Sequence, residues 1–163
     1  RESAAGLAIA RGLGLKAVCL PSKGIDREAY DAQLIAELHA HQVDLVCLAG
    51  YMRLLSPSFI RAFPMRILNI HPSLLPAFPG LDAQHQAFDY GVKVTGCTVH
   101  FVDEHLDHGP ILLQAPVDVL AADTAESLSS RILAEEHRIY SEAIRIVLSG
   151  KFRVEGRKVI LED

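Results

Sequence analysis

The run Ile67-Leu68-Asn69-Ile70-His71-Pro72-Ser73-Leu74-Leu75-Pro76 constrains this chain more than any other stretch. Residues 67–70 form a short apolar run that suits a strand buried on both faces. Side chains alternate along a strand, so Asn69 and His71 share one side while Leu68 and Ile70 take the other. The prolines that follow lack N–H donors and fix their own φ, so the strand has to stop there. An amide and an imidazole are thus expected to project together from a strand end. In open α/β sheets, ligands bind outside the carboxyl ends of the strands.

The remaining pattern alternates helices and strands. Residues 3–13 read as a helix closed by Gly14, and residues 16–20 as a strand. Asp26 can cap a helix running to about His41, and residues 43–49 read as a second strand. Ser56-Pro57 supplies an N-cap and an N1 proline for a short helix to Phe63. Residues 82–90 read as a helix stopped by Gly91, and residues 94–102 and 111–119 as strands. Asp123, with Glu126 three residues on, suits the start of a long helix that ends at Gly150. Residues 152–161 suggest a hairpin around Glu155-Gly156. The expected architecture is α/β and Rossmann-like: one domain over residues 1–163, with a mostly parallel twisted sheet flanked by helices.

Composition narrows the function. The chain has 163 residues, 22% of them charged, with a net charge of −4. That length fits one domain with a sizeable core. The acidic balance argues against a general nucleic-acid or membrane-surface binder. No run is long and apolar enough for a membrane helix; residues 43–55 come nearest and contain Asp44 and Arg53. Cys19, Cys47 and Cys97 lie in apolar runs and read as small core residues in a reducing cytosol. The eight histidines show no metal-ligand spacing, so no metal is expected.

Three further polar residues stand out. Asp107 sits in Asp107-His108-Gly109-Pro110, within the long polar loop 103–110. If it met His71 it would favour the charged imidazole. Glu136 falls among Ile132, Leu133, Ile139 and Tyr140 on the apolar face of the long helix. A carboxylate there wants a partner or a task, and ion pairing and function are equally good explanations. His100 reads as a buried supporting histidine. An amide to stabilise an oxyanion, an imidazole to move protons and a carboxylate to hold it are what acyl or formyl transfer requires. No G-x-S-x-G and no cysteine with a basic sequence neighbour is present, which favours direct attack of one substrate on another.

Residues 67–80, together with Gly96-Cys97-Thr98-Val99-His100-Phe101-Val102 and Asp107-His108-Gly109-Pro110-Ile111-Leu112-Leu113-Gln114, closely resemble the signature of the phosphoribosylglycinamide formyltransferase family. The likeness runs from about Arg27 to the tail. It implies transfer of a formyl group from the co-substrate 10-formyltetrahydrofolate to the amine of 5'-phosphoribosylglycinamide, in purine (IMP) biosynthesis. By that resemblance Asn69 polarises the formyl oxygen, His71 acts as general acid and proton shuttle, and Asp107 supports the charged imidazole and orders a water. The implied folate pocket comprises Arg27, Met52, Arg53, Leu54, Leu55, Asn69, Val102, Asp103, Glu104, His105, Leu106 and Asp107. The implied ribonucleotide contacts are Met52, Pro72, Leu133 and Glu136, with His100 behind the catalytic residues. A cis bond before Pro76 is also implied.

One departure concerns the start. The family opens with a strand and a Gly-Ser-Asn loop that grips the substrate phosphate, as helix-start amides do. This sequence begins at Arg1 and enters a helical pattern almost at once, so the first strand and phosphate loop are expected upstream of it. The resemblance leaves a homodimer open and implies a cytoplasmic enzyme acting on small molecules, without nucleic acid or membrane. Formyltetrahydrofolate deformylase is the runner-up; its motif tends to carry a second histidine where this chain has Pro72. Methionyl-tRNA formyltransferase, which carries a basic tRNA-binding domain, and a non-catalytic folate binder rank below.

Overall fold

The computed structural model describes residues 2–162. Arg1 and Asp163, the ends of the expected domain, lie outside the described residues. The chain forms two compact units, residues 1–43 and 44–163.

The first unit holds α1 (Ala5–Gly12) and α2 (Arg27–Ala40). Asp26 caps α2 as expected, accepting the Ala29 N–H at 3.2 Å. Buried Tyr30 donates its hydroxyl to the Leu20 carbonyl at 2.9 Å, fixing the preceding segment to the helix. The strand expected at residues 16–20 does not form. Those residues pair with no strand among the described residues, and Leu15 and Val18 are exposed. Apolar patterning alone does not make a strand without a ladder partner.

The second unit is a six-stranded sheet in the order β1-β2-β3-β4-β6-β5. Its strands are β1 (Val46–Leu48), β2 (Ile67–His71), β3 (Val94–Phe101), β4 (Ile111–Asp118), β5 (Phe152–Glu155) and β6 (Lys158–Leu161). The α/β, Rossmann-like class holds, and the sheet is mixed where a mostly parallel one was expected. β1/β2 and β4/β6 are parallel, while β2/β3, β3/β4 and β5/β6 are antiparallel. The reason is local. No helix separates β3 from β4, and a strand can return beside its predecessor through a loop only in the antiparallel sense. Two glycines allow the close approach: a Cβ at Gly96 would collide with the Ala115 carbonyl, and one at Gly109 with the Phe101 carbonyl.

Between β1 and β2 runs α3 (Pro57–Ala62), capped by Ser56 with Pro57 at its start. Its Phe59 is buried against Phe63, with ring centroids 5.4 Å apart. After β2 the chain turns through residues 72–78, with a cis Leu75–Pro76 bond, and enters α4 (Ala83–Tyr90), closed by Gly91.

The long helix α5 (Ala125–Ser149) covers the sheet. Leu128, Ile132, Ile139, Ala143 and Val147 form its buried stripe, packed in one cluster with Leu68 of β2, Cys97, Val99 and Phe101 of β3 and Leu112, Ala115 and Val117 of β4. Each large side chain so buried contributes about 1.5–3 kcal/mol. The cap is Thr124, not Asp123: Thr124 Oγ1 accepts the Ser127 N–H, and Ser127 Oγ accepts the Thr124 N–H. Asp123 is engaged elsewhere, holding Arg131 in a bidentate pair and accepting the Leu120 N–H.

Candidate active site

The alternation along β2 brings Asn69 and His71 to one side of the strand, and the β2/β3 register sets Asn69 opposite His100 and His71 opposite Thr98. His100 is buried. Its Nδ1 lies 2.8 Å from the Phe101 carbonyl, which can only accept, so Nδ1 carries the hydrogen. Its Nε2 is then a lone pair and accepts from Asn69 Nδ2 at 3.2 Å. Burial lowers the His100 pKa, against the opposing pull of the Phe101 carbonyl and Asp107, so this neutral tautomer is the one favoured. One Asn69 N–H is thus committed to His100, and the second remains for a ligand oxygen.

His71 is 5% exposed. Its Nε2 donates to the Phe78 carbonyl at 2.8 Å, and its Nδ1 faces Asp107 Oδ2 at 3.4 Å. A proton on Nδ1 would sit between the ring and the carboxylate. Asp107 is buried at the end of the loop with φ +48°, and Oδ2 also accepts the Gly80 N–H at 2.8 Å. The carboxylate thus bridges the β3–β4 loop and the turn after β2.

That turn is held from a distance. Thr98 Oγ1 donates to the Ser73 carbonyl at 2.7 Å and accepts the Leu75 N–H at 3.0 Å. Gln114 Nε2 donates to the Leu75 carbonyl at 2.9 Å and to Thr98 Oγ1 at 3.0 Å. Ser73 Oγ donates to the Ala77 carbonyl. These bonds fix where the Phe78 carbonyl stands, and with it the His71 ring. The role of Thr98 and Gln114 was not visible in the sequence, because their partners are 16 to 39 residues away.

An open cleft of about 480 Å³ lies beside this group. Arg53, Leu54, Leu55, Asn69 and the loop 102–107 line it, together with His100. Leu48 and Tyr51 also line it and were missed; both border the expected 52–55 segment. Met52 does not line it and is 78% exposed. Arg27 lies in the first unit, at the start of α2. His71, Pro72, Leu133 and Glu136 do not line the cleft either. Pro72 follows His71 directly, and Leu133 and Glu136 are on α5. Glu136 is one turn before Tyr140, whose hydroxyl donates to the Leu48 carbonyl at 2.7 Å, so this part of α5 crosses the cleft end of β1. Burial pushes the Glu136 carboxyl up, with His137 opposing, and among the described residues it has no hydrogen bond or ion pair.

The arrangement offers an amide donor and a carboxylate that line a cleft of mixed polar and apolar walls, with the His71 imidazole buried against the carboxylate. It offers no thiolate. Burial, reinforced by Glu136 and Glu135, pushes the Cys97 thiol up to about 12; of the three cysteines expected in the core only Cys97 is buried, with Cys47 exposed and Cys19 half-buried. Among the described residues no group of three potential ligands gathers to hold a metal, and no helix is long and apolar enough to cross a membrane.

The family described as formyl transferase matches residues 4–144. The phosphoribosylglycinamide formyltransferase of Escherichia coli (strain K12) is 43% identical over 163 residues, covering 99% of this chain and 77% of that protein. The trifunctional purine biosynthetic protein adenosine-3 of Drosophila melanogaster is 47% identical over 146 residues, which is 89% of this chain and only 11% of that protein. The crystal structure of glycinamide ribonucleotide transformylase 1 from Symbiobacterium toebii superposes with a TM-score of 0.96 at 58% identity, over 100% of this chain and 77% of that one. The chain belongs to the formyl transferase family.

Proposed function

We propose that the protein transfers a formyl group from 10-formyltetrahydrofolate to the amine of 5'-phosphoribosylglycinamide, a step of purine (IMP) synthesis. The observation that carries this reading is that Asn69 and Asp107 both line the cleft, with His71 buried against Asp107 and one Asn69 N–H uncommitted among the described residues. The cleft suits the folate co-substrate: Leu48, Leu54, Leu55 and Leu106 offer apolar surface to a flat ring, and Asn69, His100 and Asp107 supply polar groups.

In this reading the co-substrate supplies an activated formyl carbon, and the chain does the rest. Asn69 Nδ2 donates to the formyl oxygen as negative charge builds on it. His71 takes and returns the proton that moves between the attacking amine and the departing folate nitrogen. Asp107, fixed by the Gly80 N–H, keeps the His71 ring aligned and stabilises its charged form during transfer. No covalent enzyme intermediate is needed, because the amine of one substrate attacks the other directly. Met52 is proposed to complete the folate side. Pro72, Leu133 and Glu136, again with Met52, are proposed to meet the ribonucleotide; an unpaired carboxylate suits a ribose hydroxyl.

The test uses the full-length protein and follows 10-formyltetrahydrofolate by absorbance, with and without the ribonucleotide. Consumption that requires the ribonucleotide is the expected result. Consumption without it would replace this reading with the hydrolytic one.

A further inference from the structure

The hairpin β5–β6 lies beyond the family match, which ends at residue 144. It nevertheless touches both ends of the loop that walls the cleft. Before the loop, Phe101 stacks on Phe152 of β5, with centroids 5.5 Å apart and rings 23° from parallel. After the loop, Ile111 pairs with Lys158 of β6. Arg157, in the hairpin turn, is therefore held beside residues 108–110. Its Nη2 donates to the His108 carbonyl, and its Nη1 lies 3.1 Å from His108 Nε2 and 3.2 Å from His108 Nδ1, against the face of the ring.

The contacts then pass into the loop. His108 Nδ1 donates to Asp103 Oδ2 at 2.8 Å, and Asp103 Oδ1 accepts the His105 N–H at 2.9 Å. Because Nη1 is nearly equidistant from both ring nitrogens, the guanidinium packs over the imidazole face while Nδ1 keeps its bond to Asp103. The result is a continuous set of hydrogen bonds and one ring contact from the hairpin turn to the loop tip. Asp103 and His105 line the cleft, and Asp107 is the neighbour of the clamped His108.

We propose that Arg157 is a positioning residue that holds the loop 102–108 in the shape the formyl donor needs, an inference that rests on the reading of the cleft as the folate side. Arg157 touches no cleft-lining side chain directly and acts through His108. Its planar fork bonds the carbonyl and packs on the imidazole face together, which a lysine cannot do.

Two measurements on the full-length protein decide this. Amide hydrogen exchange in the absence of substrates compares the wild type with Arg157→Ala, and with Arg153→Ala as a control on the same hairpin. Arg153 pairs only with Glu155 and Glu162 among the described residues. Exchange at residues 103–109 is expected to rise in Arg157→Ala and not in the control. Steady-state kinetics then read the purpose. KM for the formyl donor is expected to rise about fivefold in Arg157→Ala, the scale of one partly exposed charge-assisted contact. KM for the amine substrate stays unchanged, and Arg157→Lys restores part of the loss. Unchanged loop exchange, or equal rises in both KM values, overturns the proposal. A wild type that transfers no formyl group overturns the functional reading instead, and the exchange comparison still decides the clamp.

Discussion

Asn69 is the residue whose removal separates the account's two kinds of claim. Its Nδ2 carries two hydrogens, and His100 Nε2 takes one at 3.2 Å. Asn69→Ala removes both. Loss of the uncommitted N–H deletes one donor to the developing oxyanion, which costs about 10²–10³ in kcat, or about 2.7–4 kcal/mol of barrier. Loss of the other leaves His100 Nε2, in a side chain 2% exposed, without its partner. That costs about 1–3 kcal/mol of stability. Asn69→Asp separates the two effects further. A carboxylate cannot donate to an oxyanion, and it meets the His100 lone pair unless that ring is protonated or turned. The assay is steady-state transfer with each substrate varied, beside urea unfolding of the same proteins. The expected result is a kcat loss far larger than any KM change in both variants. A kcat within about threefold of wild type would refute the oxyanion role.

Other outcomes follow from the same geometry. Burial raises the Glu136 carboxyl, so the fold favours its neutral form. The penalty is absent below the ordinary carboxylate pKa and grows as pH rises through the folded value, so Glu136→Gln should raise Tm at pH 8 and leave it unchanged at pH 3.5. The same variant should raise KM for the ribonucleotide and not for the folate; equal effects would make Glu136 structural only. Arg131 holds the Asp123 carboxyl well below its usual range, so the bond stabilises the fold above the normal Asp pKa and fades as pH falls through the folded one. Asp123→Asn should therefore lower Tm at pH 7 and matter less in strong acid, as thermal scans across pH would report. Thr98→Val removes the hydroxyl that joins Ser73, Leu75 and Gln114. It should cost about 1–3 kcal/mol of stability, read by urea unfolding. It should also lower kcat more than either KM, because the turn sets the His71 ring.

The parts of the structure that were legible in the sequence are those decided by local chemistry. The Asn69–His71 side of β2 follows from strand alternation, and Ser56-Pro57 states the start of α3 outright. The stripe from Leu128 to Val147 follows from helical period. Local reading failed where two local solutions competed. Asp123 and Thr124 both offer a cap for α5, and Arg131, a residue on the helix itself, draws Asp123 away. It failed again where the outcome depends on distant pairing. Residues 94–102 and 111–119 read as strands, but their antiparallel sense is set by a loop closing across Gly109. Residues 16–20 have strand patterning and no ladder. The supports behind His71, namely Thr98, Gln114 and the Phe78 carbonyl, are non-local contacts that no periodicity announces.

The most direct test of the central claim is the fate of the formyl carbon. The full-length protein would be given 10-formyltetrahydrofolate labelled with ¹³C in the formyl group, together with 5'-phosphoribosylglycinamide, and the products followed by NMR. Direct transfer predicts label in the formylated ribonucleotide at the rate the donor disappears, with none in formate. Label released as formate at that rate would contradict the account.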